Sequence, residues 1–146
     1  MPAGLETLRL AEAMVTGPQP VWKLFGAGSA GSQALTGIPY ARKLREDIEL
    51  VRHTSVWPFE TGLAAPFGQA ATDRRIVFAE VYPSLIDSEC AEGECKDRAQ
   101  TRTLAQHFAR LDEKGRLARL LAGPPALTLA EREAVEQEEG WILGVV

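Results

Sequence analysis

The chain reads as an α/β domain, a mixed sheet flanked by helices. Three observations carry this reading. Ile76–Val77–Phe78–Ala79 is a continuous apolar run rich in β-branched and aromatic residues, the pattern of a strand covered on both faces. Ser55–Val56–Trp57–Pro58–Phe59 is a second short apolar stretch. Segments with helical periodicity alternate with these two, and that alternation marks the α/β class.

Composition sets the outer limits. With 146 residues and 45 % hydrophobic content, the chain suits a single domain over 1–146 with one core. Charged residues make up 25 %, an ordinary share that argues against disorder. The net charge of −4 argues against a surface coated in basic groups for non-specific nucleic-acid binding, and leaves room for a local basic groove. No apolar run approaches the ~20 residues that cross a bilayer, so no membrane partner is expected. Met1–Val15 contains Glu6 and Glu12 and lacks a basic start followed by an apolar core, so it does not read as a signal peptide. Two cysteines and no export signal point to a reduced, cytoplasmic compartment.

The elements follow in order. Leu5, Leu8, Ala11 and Met14 fit a short opening helix, ended by Gly17–Pro18 and Pro20. Val21–Phe25 reads as a brief extended segment that leads into the small-residue loop Gly26–Ser32. A helix is expected from near Pro39, because proline suits a first helical turn; Tyr40, Leu44, Ile48 and Val51 then recur at helical spacing. Strands are expected at 55–60 and 75–82, separated by the Gly/Ala/Pro-rich loop 62–74. A helix is expected from about Asp97 to Leu111, with Leu104, Phe108 and Leu111 on one side and Arg98, Arg102 and Arg110 on the other. Gly115–Leu121 is a further short helix, stopped by Gly123–Pro124–Pro125. Thr128-x-x-Glu131 is a capping box that starts a last helix ending at Gly140. Trp141–Ile142–Leu143 then forms a closing strand or a docked tail. Charge is distributed unevenly: residues 96–119 hold seven basic against three acidic groups, and 131–139 hold five acidic against one basic. Solvated helix faces account for such blocks.

Glu80 is the most informative candidate residue. It puts a carboxylate at the end of an apolar strand, and burying an ionised carboxylate costs several kcal/mol unless it is paired or metal-bound. Two readings are open. Glu80 pairs with Arg74, Arg75 or Lys96, or it joins Glu60 and Asp97 in a site. Carboxylates gathered from strand ends and a helix start hold magnesium or manganese in phosphoryl-transfer enzymes. In that reading Glu80, Glu60 and Asp97 are the catalytic set, Glu80 and Asp97 ligate metal, and Lys96, Arg98 and Arg102 face phosphate oxygens. The alternative for Asp97 is a helix cap.

Other motifs carry less. Gly26–Ala27–Gly28–Ser29–Ala30–Gly31 matches G-x-G-x-x-G, but Lys23 interrupts the strand before it, and Gly37–Ile38–Pro39 should break the helix after it within about one turn. A glycine-rich structural or substrate-facing loop is expected there, with no NAD. Cys90 and Cys95 flank a good turn and lack histidines at zinc-site spacing; a mobile acidic loop with incidental thiols is expected. His107 reads as a boundary residue on its helix, and local spacing assembles no Ser/His/Asp or Cys/His arrangement.

Val77-x-x-Glu80–Val81–Tyr82–Pro83–Ser84, Lys96–Asp97–Arg98 at a helix start, and Glu138–Glu139–Gly140–Trp141–Ile142 resemble, as a set, a large uncharacterised family of predicted nucleases with an RNase H-like fold. Val21–Trp22–Lys23–Leu24, Gly28-x-x-Gly31–Ser32–Gln33, Gly37-x-Pro39 and Val56–Trp57–Pro58–Phe59–Glu60–Thr61 fit a bacterial subgroup of it. The resemblance spans roughly residues 20–144. Some members of that subgroup are labelled as proteins of molybdopterin guanine dinucleotide or cobalamin biosynthesis. The resemblance implies a mixed sheet with acidic residues at strand ends, and it carries over Glu80, Lys96 and Asp97. It also implies nucleic acid or a phosphate-containing small molecule as partner. The chain departs from the family at two places. It has no opening strand bearing Gly-x-Asp-Gly, which supplies the first metal-binding carboxylate, and no later Asp-x-x-Asp–Ala helix. The expectation is a fold truncated at its N-terminus and a non-catalytic binding or accessory protein, with magnesium-dependent phosphodiester hydrolysis as the alternative. A sheet edge left open by the missing strands would pair in a homodimer or be covered by the N-terminal helix.

Overall fold

The computed structural model describes residues 6–64 and 76–146. It is a mixed α/β structure of helices and a small two-stranded parallel sheet. The opening helix α1 is a single turn, Leu10–Ala13, shorter than the expected segment from Leu5, which lies outside the described residues. Its start is fixed by Glu12, whose carboxylate accepts the Arg9 N–H. Ala11 is fully buried, so this short turn is anchored by packing rather than by its own hydrogen bonds.

Val21–Phe25 is a turn rather than the expected extended segment. The Lys23 N–H donates to the Pro20 carbonyl at 2.9 Å, and the Lys23 ammonium folds back onto the Ala27 carbonyl at 2.8 Å. The Gly31 N–H then donates to the Lys23 carbonyl at 3.0 Å. A Cβ on Gly31 would lie 2.2 Å from the Val21 carbonyl oxygen, so this approach of helix to loop requires glycine. The glycine motif thus closes a backbone turn here.

Helix α2 spans Ala30–Arg45 and corrects two expectations. It begins nine residues before Pro39, and Gly37–Ile38–Pro39 do not break it. Pro39 cannot donate to the Leu35 carbonyl, but Leu35 is 66 % exposed, so water can satisfy that group where a buried helix would not tolerate the loss. Ile48 and Val51 lie beyond its end in a turn, where the Leu50 and Val51 N–H groups donate to the Asp47 carbonyl.

Strands β1 (Thr54–Val56) and β2 (Ile76–Phe78) pair in parallel with Thr54 opposite Ile76 and Val56 opposite Phe78. Both are shorter than expected, and among the described residues the sheet is purely parallel rather than mixed. Beyond Val56 the chain turns over residues 57–60: the Glu60 side chain accepts the Val56 N–H at 2.9 Å and the Glu60 N–H donates to the Val56 carbonyl at 2.8 Å, both on the edge away from β2. Beyond β2, Glu80 forms a parallel bridge with Ile142, and the Leu143 N–H donates to the Glu80 carbonyl at 2.9 Å. The C-terminal segment is the docked tail that its apolar residues imply.

Helix α3 covers Lys96–Glu113, α4 Leu117–Leu121 and α5 Leu129–Ala134, the last continuing as a wider π turn over Val135–Glu139. On α3, Leu104 is buried, Phe108 and Leu111 are half-buried, and Arg98, Arg102 and Arg110 are exposed, as the periodicity requires. The Thr128 hydroxyl and Glu131 carboxylate form the expected reciprocal cap. Gly140, at φ +71°, ends the segment. The core gathers Ala11, Trp57, Leu63, Leu121, Val135, Trp141, Ile142, Leu143 and Val145. Both buried indoles are satisfied: Trp57 Nε1 donates to the Leu121 carbonyl at 2.9 Å and Trp141 Nε1 to the Val145 carbonyl at 3.0 Å.

Candidate functional site around Glu80

The end of β2 delivers Glu80 to a point where three distant segments meet. Its side chain is 46 % exposed, so it is not the dry carboxylate that the apolar run suggests. Arg9 meets it in a two-pronged contact, with Nη2 donating to Oε1 at 2.7 Å and Nη1 to Oε2 at 2.9 Å. This fork matches a carboxylate better than a point charge can, and both bonds are charge-assisted. The cation is the buried member of the pair, 13 % exposed at its side chain. Nη1 also donates to the Glu139 carbonyl at 2.9 Å, and Nε donates to Glu12 at 3.0 Å. Glu12 is 3 % exposed and takes the Arg9 N–H as well. Burial works against the charge on Arg9, but its bonds and proximity to Glu80, then to Glu12, prevail and raise its pKa.

Glycine makes the approach possible. A Cβ on Gly140 would lie 3.1 Å from the Phe59 ring and 3.9 Å from Arg9 Nη1, so its absence lets the ring and the guanidinium close over this backbone. Glu139 contributes its carboxylate separately, accepting the Leu10 N–H at 2.8 Å. The N-terminal segment is thus pinned to both Glu80 and the end of the π turn. Arg74 and Arg75, expected as partners of Glu80, lie outside the described residues. Lys96 is not its partner among the described ion pairs.

The other predicted site residues stand apart from this point. Glu60 is engaged by Arg45 and caps the Val56 N–H. Burial would raise its pKa, but the Val56 amide and the Arg45 guanidinium outweigh burial and lower it. Asp97 is exposed in the first turn of α3, where a carboxylate is favoured by the helix dipole; Cys95, not Asp97, occupies the N-cap. Lys96 and Arg98 are exposed at the same end. Arg102 is taken by the neighbouring turn, forking onto Glu94 at 2.7 and 3.0 Å and donating to the Glu89 carbonyl at 3.0 Å. The bond from Arg102, then that from the Ala91 amide, pull the Glu94 pKa down to about 2. Among the described residues no three His, Cys, Asp or Glu side chains converge as a metal site would require.

Comparison with protein-family models, with curated proteins and with solved structures finds no match to this chain. The site therefore rests on its own geometry. Chemically, a forked arginine neutralises Glu80 and uses one lone pair on each of its oxygens, which makes a charge-balanced clamp. Arg9 is the residue that sequence reasoning missed. The only local sign was Glu12 three positions after it, a helix-start pattern that says nothing about a residue 71 positions away. His107 is half-buried and packs edge-on against Phe108 with ring centroids 5.6 Å apart, in keeping with a boundary role. None of the described helices is long and apolar enough to cross a membrane.

Proposed function

We propose that this chain is a non-catalytic binding or accessory domain on an RNase H-like framework. The observation that carries the reading is the Arg9 fork on Glu80. A carboxylate meant to hold a hard cation needs its charge available, whereas this one is balanced by a buried guanidinium that it also helps to keep in place. Glu60 is likewise committed to Arg45. The framework reading is supported by the order of its parts: the parallel β1–β2 pair, Glu80 beyond it, Lys96–Asp97 opening α3, and Ile142 returning to Glu80. The exposed Lys96 and Arg98 suit a phosphate-bearing partner, nucleic acid or small molecule.

The alternative, magnesium- or manganese-dependent phosphodiester hydrolysis with Glu80, Glu60 and Asp97, is separated by one experiment. Single-stranded RNA, duplex DNA and bis(p-nitrophenyl) phosphate are incubated with the wild type, Glu80→Gln and Asp97→Asn, with each metal. The expected result is no hydrolysis above buffer and no metal-dependent rise in melting temperature. Turnover that requires metal and is lost in both variants would overturn the proposal.

A further inference from the structure

Helix α2 has almost no cover among the described residues. Of its sixteen residues only Gly31 is buried, and its interior holds Gly37 and Pro39, the two weakest helix-forming types. A helix of that length and composition gains its stability from packing on a partner surface. Nine of the fifteen large apolar side chains exposed among the described residues lie between Trp22 and Val51. We infer that α2 and the turn before it form the interface of a homodimer, in which two copies of α2 pack antiparallel about a two-fold axis.

The contact strip follows from helical geometry. Gly31, Leu35, Ile38 and Arg42 recur at spacings of four, three and four residues and share one side of α2. Leu24 lies against the N-terminal end of this strip, since a Cβ on Gly31 would meet Leu24 Cδ2 at 3.1 Å. Trp22 and Phe25 extend it along the turn, 59 % and 85 % exposed. Together with Leu24, Leu35 and Ile38 they present on the order of 500 Å² of apolar side chain. A standard interface takes about 800 Å² from each partner, roughly 60 % of it apolar, so the strip is of the right size.

The two ends of the strip complement each other, which points to a second copy rather than an unlike partner. One end is aromatic, Trp22 and Phe25; the other is the guanidinium of Arg42. An antiparallel pair centred between Leu35 and Ile38 sets Arg42 of each copy over the turn of the other, where a planar cation stacks on an aromatic face. Arg42 is suited to this, because its Nε donates to Glu46 at 2.9 Å in the guanidinium plane and its side chain is 73 % exposed. Lys23 would repel that approach, but its ammonium is folded back onto Gln19 and the Ala27 carbonyl, 2.8 Å from each. A parallel pair would instead set Arg42, Lys43 and Arg45 against their own copies. Other occupants fit less well. Tyr40 and Leu44 are exposed on the opposite side of α2, so the helix lacks the single apolar face that a lipid surface takes. Its aromatic and cationic groups stand at opposite ends, not interleaved as along a single-stranded nucleic acid.

The test is sedimentation velocity of the full chain from micromolar to millimolar concentration, with tryptophan emission read on the same samples. The expected result is a reversible monomer–dimer equilibrium, the mass rising from 15.9 kDa towards twice that value. Emission should shift to the blue as Trp22 is covered, since Trp57 and Trp141 are buried already. Ile38→Asp should raise the dissociation constant by about a hundredfold, because the two-fold repeats the buried charge. Phe25→Ser should also weaken the dimer, and it lies outside the helix, so it reports on the interface even if Ile38→Asp unfolds α2. Arg42→Gln should raise the constant by about two- to fivefold. Tyr40→Ser, on the opposite side, should leave it unchanged. A chain that stays monomeric throughout overturns the inference, whether or not it binds anionic vesicles or single-stranded RNA. So does a dimer that survives both Ile38→Asp and Phe25→Ser, or one that Tyr40→Ser dissolves. An unchanged constant in Arg42→Gln overturns the antiparallel orientation.

Discussion

Arg9 holds three acidic residues in place, and they do not depend on it equally. Glu12 is 3 % exposed, so removing the guanidinium strands it as a buried, uncompensated charge. Arg9→Gln should therefore cost about 3–5 kcal/mol, read as a shift in the urea midpoint at constant slope. Glu80→Gln should cost about 1 kcal/mol, because that side chain is 46 % exposed and Arg9 keeps its other partners. Equal losses from the two variants would show that Glu80 rather than Glu12 carries the energy. Glu94 gives a second prediction at this scale. Its pKa lies at about 2, below the ordinary 4.5, so its contribution is complete above pH 4.5 and is lost as pH falls through the lower value. Carboxyl NMR titration should place the midpoint near that value, and Arg102→Ala should return it towards 4.5. The apolar run Ile76–Ala79 led to a cationic partner for Glu80 by way of a burial that the structure does not have, since that side chain is 46 % exposed. The identity of the cation was not legible, because Arg9 owes its position to folding of the whole chain.

Helix α3 is the element whose sequence and structure agree most closely. Leu104, Phe108 and Leu111 face inward, but Phe108 is only half-buried beside Leu85 and Gly144. Phe108→Ala should accordingly fall at or below the ~3 kcal/mol lower limit for a core phenylalanine, measured by chemical denaturation. A loss close to zero would mean that α3 is held by Leu104 and Ala99 alone. The legibility of α3, α4 and the Thr128–Glu131 cap has a local cause: periodicity and capping are set within a few residues. Helix α2 was misread for the complementary reason. Its Pro39 looks like a helix start on local rules, and only the exposure of Leu35 explains why the helix runs through it. The strands were legible as apolar runs but not in length, since the chain turns straight after β1, with Glu60 folding back onto Val56.

At the scale of the molecule, the α/β character was readable from alternation, while the joining of its ends was not. The sheet is parallel, and parallel partners are brought together only by long connections, which leave no short-range mark in sequence. The site reading suffered in the same way: Glu60, Glu80 and Asp97 share a sequence pattern, yet each is claimed by a different neighbourhood. The meeting of residues 9–12 with 139–143 has a consequence for synthesis. The ribosome releases Ala11 and Trp57 long before it makes Trp141, Ile142 and Leu143, the residues against which they pack. Helices α3 to α5 can form locally as they emerge, but the apolar centre stays open until Trp141–Val145 have left the exit tunnel. The core of this chain therefore cannot close until residues 141–145 are free to pack, and its early apolar segments stay uncovered until then.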